Sequence, residues 1–421
     1  GAAAAGMHAS AVRELADALS GEDAGKDIVI VHSERLLRSA GAARALLNLA
    51  ARLSLAGRDG AGIIEIPSSA NGRGLREAGF APGHGPGYTT LAAPGAGAGD
   101  IAEKLAGGEL STLLLWHADP LRTHPDRQAW EAALAGAGTV IAYDSVLTES
   151  LRRHADVVFP AETYAEKEGT LTHPDGRVQR LRVAIGRPKG ASGPDSGVRA
   201  GWRLIADIGR AAGLEGRVLA GPMVSKQLFD AVPFYAGLSL DEIGPKGVRW
   251  QERAAASAAA PAQPWQLARL DPPGAGPQAN GSLRVGTFRS LWSSKEVDVS
   301  PALAFLRPRQ TVELSPADAE RLGVTGGDQV ELGSNGTRVQ GAAMVRAAVP
   351  TGSVFVIEGT RESPANVLTE PLVEVRRVGG VASTVPSGQP AIVTPAHEGL
   401  TEPRSSSPES PPGTVKESLN E

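Results

Sequence analysis

The chain has 421 residues, 41% of them hydrophobic, enough for two or three domains with a sizeable core. Its 42 basic and 46 acidic residues leave a net charge of -4, which argues against a nucleic-acid binder steered by a strong positive field. Cysteine is absent, which excludes disulfides, thiolate nucleophiles and Cys-ligated zinc or iron–sulfur sites within this sequence.

No run approaches the roughly 18 apolar residues of a membrane span. Gly1 to Gly6 lacks the basic and apolar regions of a signal peptide, and Met7 is internal, so a fragment or processed product is expected. Ala9 to Leu19 has helical periodicity, with Val12, Leu15, Ala16 and Leu19 on one side, and Gly21 can end it. Ile28 to Val31 predicts a buried parallel strand. Ser33 is placed to cap a helix from Glu34 to Leu55. Ile63 to Ile66 predicts a second strand.

Pro67 to Gly99 has little periodicity and reads as a long loop. Loops after parallel strands are where α/β proteins bind ligands, although a surface excursion explains it as well. His84 lies there among glycines, without a partner at metal-ligand spacing. Helical patterns at 101–105, 126–134 and 148–154 then alternate with strand patterns at 113–116, 139–142 and 157–159. This alternation predicts an α/β body with an open, mostly parallel sheet. Neither a Gly-x-Gly-x-x-Gly fingerprint nor a Walker lysine motif is present at the strand-to-helix junctions. Asp119, Asp144 and Asp156 fall near strand ends. A metal or acid–base cluster is one reading, and turn or helix capping is the simpler one.

The segment from His154 to Arg180 is the most distinctive. Pro160 stops a short strand, an acidic helical turn follows, and Gly169, Asp175 and Gly176 punctuate a loop before a basic strand at Arg177. Gly186 to Gly201 reads as loop. Trp202 to Ala212 predicts an amphipathic helix with Trp202, Ile205 and Ile208 on its apolar face. Ser225 to Ala231 is another short helix, and Arg253 to Gly281 a linker or covering segment.

From Gly281 strands dominate. Patterns at 282–288, 310–314, 329–332, 337–347 and 354–357 surround one short helix, with Ser315 as cap, Pro316 at its first position and Gly323 at its end. Asn335-Gly336 is a hairpin signal. Together these predict a closed or partly closed β-barrel. The Pro/Ser-rich stretch after Gly379 predicts disorder or an extended arm. The expected organisation is therefore 1–197 an α/β sheet body, 198–280 a helical and linker segment, 281–378 a barrel and 379–421 a tail.

Two stretches resemble the molybdopterin oxidoreductases. Pro160, Glu162, Glu166, Glu168, Gly169, Thr170, Gly176, Arg177 and Gln179 match a segment of that family's α/β core. Pro316, Asp318, Ala319, Leu322, Gly323, Gly327, Asp328 and Val330 look like the start of its carboxyl-terminal barrel, the molybdopterin dinucleotide-binding domain. Asn366-Val-Leu-Thr369 resembles a later element. Within the superfamily, Ala-Glu-Lys-Glu-Gly-Thr170 and Leu-Trp-Ser-Ser294 are similar to the large iron–sulfur subunit of bacterial respiratory complex I (NADH:quinone oxidoreductase).

That resemblance implies a structural body with no catalytic residue and no cofactor of its own. Its iron–sulfur clusters would lie in an upstream region outside this sequence. The implied partners are other peripheral-arm subunits of complex I, with no nucleic acid and no direct membrane insertion. The implied place is the cytoplasmic side of the bacterial inner membrane. An interface including Trp292 and Phe305 is expected, with barrel core as the other reading of Trp292. The alternative is a molybdopterin-binding oxidoreductase subunit, in which Glu168, Gly169, Thr170, Arg177, Arg289, Asn366 and Thr369 would contact a molybdopterin guanine dinucleotide. Against that, Glu168 and Arg177 also read as a loop-bracing pair, and Asn366 as an Asx turn.

Overall fold

The computed structural model describes residues 8–20, 28–186, 197–214, 218–259, 265–271 and 280–378. The expected tail from Gly379, the stop at Gly21 and parts of both middle loops lie outside the described residues.

Helix α1 (Ala9–Ser20) forms where its periodicity places it, yet none of its residues is buried. Strands β1 (Val29–Ser33) and β2 (Gly62–Ile66) pair in parallel as a two-stranded sheet of their own. Val29, Val31, Ile64 and Ile66 share one face of it, because Val31 lies opposite Ile64 and alternate residues point the same way. All four are exposed, Val31 by 61%, so the expected buried strand is half open. The long helix expected from Glu34 is also divided. Residues 34–38 form a tight 3-10 turn, and Ser39 rather than Ser33 caps α2 (Ala40–Arg52), its Oγ accepting from the Ala42 N–H at 3.3 Å.

The stretch 67–99 is more ordered than its composition suggests. It contains helix α3 (Gly72–Glu77), whose last residue, Glu77, is fully buried. Helix α4 (Ala98–Ala106) then leads to β3 (Thr112–Trp116). Helices α5 (Pro120–Thr123) and α6 (Arg127–Gly136) connect it to β4 (Thr139–Asp144), and α7 (Glu149–His154) to β5 (Val157–Pro160). β3, β4 and β5 form a parallel sheet in sequential order. Leu113, Leu115, Val140 and Ala142 pack there with Leu105, Trp130 and Leu134 of the helices.

The acidic segment after β5 is a turn rather than a helix, because Glu166 caps it: its carboxylate accepts from the Thr163 N–H at 2.9 Å and hydroxyl at 2.8 Å. A hairpin follows, β6 (Gly169–Thr172) with β7 (Arg177–Leu181). The helices α8 (Gly201–Ala211), α9 (Gly221–Ala231) and α10 (Leu240–Ile243) come next, and β8 (Val248–Arg249) completes the sheet on β7. α8 leaves Ile205 and Ile208 exposed, although its pattern predicts a buried face.

The barrel is as expected. β9 (Leu283–Arg289) precedes α11 (Lys295–Val299), β10 (Thr311–Leu314) and α12 (Pro316–Leu322). β11 (Gln329–Ser334), β12 (Thr337–Val345), β13 (Ser353–Glu358) and β14 (Leu372–Arg377) follow. They close in the order β10-β12-β11-β14-β9-β13. Ser315 accepts from the Asp318 N–H at 3.1 Å and Gly323 takes φ 63°, as a left-handed helix stop requires. Asn335 and Gly336 both have positive φ, which a two-residue hairpin of this twist needs. The parallel sheet, the flanking helices and the closed six-stranded barrel match the expected α/β body followed by a β-barrel.

Candidate functional site at the strand ends

The carboxyl ends of β3, β4 and β5 bring four charged or titratable side chains together. His117 follows β3 and sits in the left-handed region, φ 50°, a conformation that costs a non-glycine residue about 1–3 kcal/mol. Its N–H donates to the Tyr143 carbonyl at 2.9 Å and its ring meets Tyr143 edge-on at 5.0 Å. Asp144 ends β4 with a side chain only 2% exposed. Lys295, the first residue of α11, donates to both its oxygens, at 2.6 and 2.7 Å. Burial opposes ionisation of Asp144, but the nearby His117 ring and the hydrogen bonds from Lys295 and the Val146 N–H win and bring its pKa down to about 2.

Lys167, between the acidic turn and β6, places Nζ 2.7 Å from His117 Nε2. Burial lowers its proton affinity. Lys295 adds to this, while Glu162 and Asp144 oppose it. Of the three aspartates, only Asp144 belongs to this cluster. Asp119 accepts from Ser150, and Asp156 accepts from the Val140 N–H at 2.7 Å. No group of three metal-ligating side chains occurs among the described residues.

The same edge joins the α/β body to the barrel. Besides Lys295 and Asp144, Arg122 pairs with Asp298 of α11. The amide of Asn366 donates to the carbonyls of Leu121, at 3.1 Å, and His124, at 2.7 Å. Asn366 is therefore a cross-link to α5 and the loop after it, not the brace of a local turn, and its Oδ1 is buried without a partner.

The other expected contacts go elsewhere. The Glu168 side chain lies over Gly221, the first residue of α9, where a Cβ would collide with it. A helix N-terminus favours such a carboxylate. Gly169 and Thr170 are in β6, across from Leu181 and Arg180. Arg177 faces Asp175 at 3.9 Å, so Glu168 and Arg177 brace separate places. Arg289 pairs with Glu358 at 3.2 Å, and Thr369 is exposed. Trp292 is half-buried and Phe305 is 74% exposed. His84 bridges Ala81 and Thr90 through its backbone.

The residues that sequence reasoning passes over are Lys167, Lys295 and Glu77. Lys167 lies inside the distinctive segment, but a single lysine among glutamates reads as surface. Lys295 is about 150 positions from its carboxylate, and nothing local signals the pairing. Glu77 accepts from the Trp250 indole at 3.2 Å, from Arg73 at 2.8 Å and from the Tyr235 hydroxyl. Burial and that carboxylate push the Tyr235 phenol well up.

Two family profiles match this chain. "Molybdopterin oxidoreductase" matches residues 5–209, and "Molydopterin dinucleotide binding domain" matches residues 283–383. The chain therefore carries molybdopterin oxidoreductase domains. It is 28% identical over 403 residues to the NADPH-Fe(3+) oxidoreductase subunit alpha of Geobacter sulfurreducens, covering 90% of this chain and 43% of the relative. It is 29% identical over 369 residues to an NADH-quinone oxidoreductase subunit of Rhizobium meliloti, covering 82% and 41%. It is 24% identical over 359 residues to the F420-dependent formate dehydrogenase 1 subunit alpha of Methanococcus maripaludis, covering 77% and 52%. The chain thus spans about half or less of the length of these relatives. No helix among the described residues is long and apolar enough to cross a membrane.

Proposed function

We propose that this chain is the structural, cofactor-free body of the large subunit of an NADH:quinone oxidoreductase. It supports electron transfer carried by iron–sulfur clusters outside this sequence and docks on the complex's other peripheral-arm subunits, at the cytoplasmic face of the membrane. One observation carries the reading. At the carboxyl edge of the parallel sheet, where open α/β folds take ligands, Asp144 is neutralised by Lys295 and the barrel is tied on by Arg122 and Asn366. The protein's own charged and amide side chains are thus paired with one another along that edge.

The side chains do not suit a molybdopterin dinucleotide well. Arg289, the candidate for a phosphate, is matched by Glu358. The crevice lined by Glu168, Gly169 and Arg180 is small, about 10 Å³. The domain organisation proposed is 1–197, 198–280 and 281–378, with 379–421 as the tail.

A second reading has its own support. The barrel matches the dinucleotide-binding domain, and Asn366 Oδ1 is a buried acceptor without a donor. On that reading the chain is part of a molybdopterin-binding oxidoreductase, the cofactor supplies the redox centre, and Asn366 would help hold it.

Affinity purification of the whole subunit from native membranes, with mass spectrometry of what accompanies it, tests the assembly. Molybdenum and tungsten analysis of the same sample tests the cofactor. The first reading expects electron-transfer subunits and neither metal. Stoichiometric metal would replace it with the second.

A further inference from the structure

We propose that Lys167 is an acylation site, a nucleophilic amine with His117 as its base, which takes an acyl group from a small acyl phosphate. The pair has the geometry of an activated nucleophile. Nζ and Nε2 are 2.7 Å apart, within the reach such pairs need. On its other side His117 Nδ1 lies 3.8 Å from Asp144 Oδ1, ion-pair range but too long for a hydrogen bond. With Nδ1–H turned toward that carboxylate, Nε2 is left as the acceptor facing Lys167.

The surroundings lower the proton affinity of this amine. Lys295 takes both oxygens of Asp144, so that carboxylate is already neutralised by another cation. Partial burial and the nearby Lys295 disfavour the ammonium form of Lys167; Glu162 and Asp144 favour it, and burial is the larger influence. The site is partly open to solvent. His117 is 25% exposed and Lys167 is half-buried, which suits a small donor. The left-handed backbone at His117 is a strained conformation that aims the ring at this one amine.

The step balances without any further reactant. Lys167 Nζ attacks the acyl carbon. A C–N bond forms and the C–O bond to phosphate breaks. Phosphate leaves with the electron pair, and the amine proton passes to His117 Nε2.

The test is limited acetylation of the intact chain with acetyl phosphate, read lysine by lysine by peptide mass spectrometry. Exposure alone would favour Lys226, 74% exposed though paired with Asp230, and Lys104 on the surface of α4. The proposal expects Lys167 to react about tenfold faster than either. It also expects labelling of Lys167 to rise with pH below the ordinary lysine range, because its proton affinity is lowered by burial. In His117→Gln that rate should fall to the level of Lys226 or below, with Lys226 and Lys104 unchanged. Labelling that simply follows exposure in the unaltered protein overturns the site, whatever the variant does. Preferential labelling that survives His117→Gln overturns the role of His117.

Discussion

In the barrel, Val312, Leu314, Val330, Leu332, Val354 and Val356 are all fully buried, and each strand has a partner on both sides. In the β1–β2 sheet, Val29, Val31, Ile64 and Ile66 are likewise aliphatic and are open on one face. The strands are alike in composition, so intrinsic preference does not separate them. Closure does. A barrel has no edge and makes its own interior, whereas a parallel pair depends on other elements to cover it. The three-stranded sheet lies between these cases. One face is packed by helices, the other leaves Leu114 and Val157 exposed, and its carboxyl edge is completed by charge, through Lys295, Asp144 and Arg122.

The largest effect is expected where charge substitutes for apolar closure. Lys295→Met would leave the Asp144 carboxylate buried beside a methyl group, and losing one partner of a buried pair costs about 3–5 kcal/mol. Urea unfolding of the variant should show that loss, and Asp144→Asn in the same background should recover part of it. A loss under about 1 kcal/mol would mean that the edge is not held by this pair.

Next comes the barrel. Leu332 is completely buried, and truncation to Ala should cost about 2–5 kcal/mol through lost burial and the cavity left behind. Because no charge is involved, the loss should be the same in dilute and in concentrated salt. Salt dependence matching that of Lys295→Met would erase the distinction drawn between the two regions.

Acid should separate them further. Asp144 has its pKa lowered from 3.8 to about 2, so its pair stabilises the fold fully above about pH 4. That contribution, about 2 kcal/mol, is lost as pH falls through about 2. Hydrogen exchange between pH 4 and 2 should therefore speed up at β4 and α11 before it does in the apolar interior of β10 and β13. Simultaneous opening would show that the two regions unfold as one unit.

Much of this is legible in residue order. The barrel announces itself because its signals are local: a capped helix with Pro316 and Gly323, then Asn335-Gly336 at a turn. The strands β3 to β5 are legible for the same reason. What is not legible depends on distance. Burial of Val31 cannot be read from Val31, because it depends on what covers the sheet. Asn366 reads as a local turn residue, and only the approach of α5 makes it a cross-link. The acidic turn reads as helical because Glu166 suits a helix, yet its carboxylate caps Thr163 instead. Among the site residues, Asp144 is in view as one of three aspartates. The lysine that defines its chemistry arrives from the other half of the chain.

The smallest effect is expected at the open face. Val31→Ser removes apolar surface that water already touches, so stability of this chain should change by no more than about 0.5 kcal/mol. The same change at Val330, inside the barrel, buries an unpaired hydroxyl as well as deleting methyl groups, and should cost several times more. Measuring the two serine variants side by side isolates closure from side-chain type, because the residues exchanged are identical. An equal cost at both positions would mean that the face of β1 and β2 is covered in solution. Repeating Val31→Ser in whatever assembly the affinity purification recovers carries the comparison one step further. A cost that appears only there would mark this face as buried by the assembly.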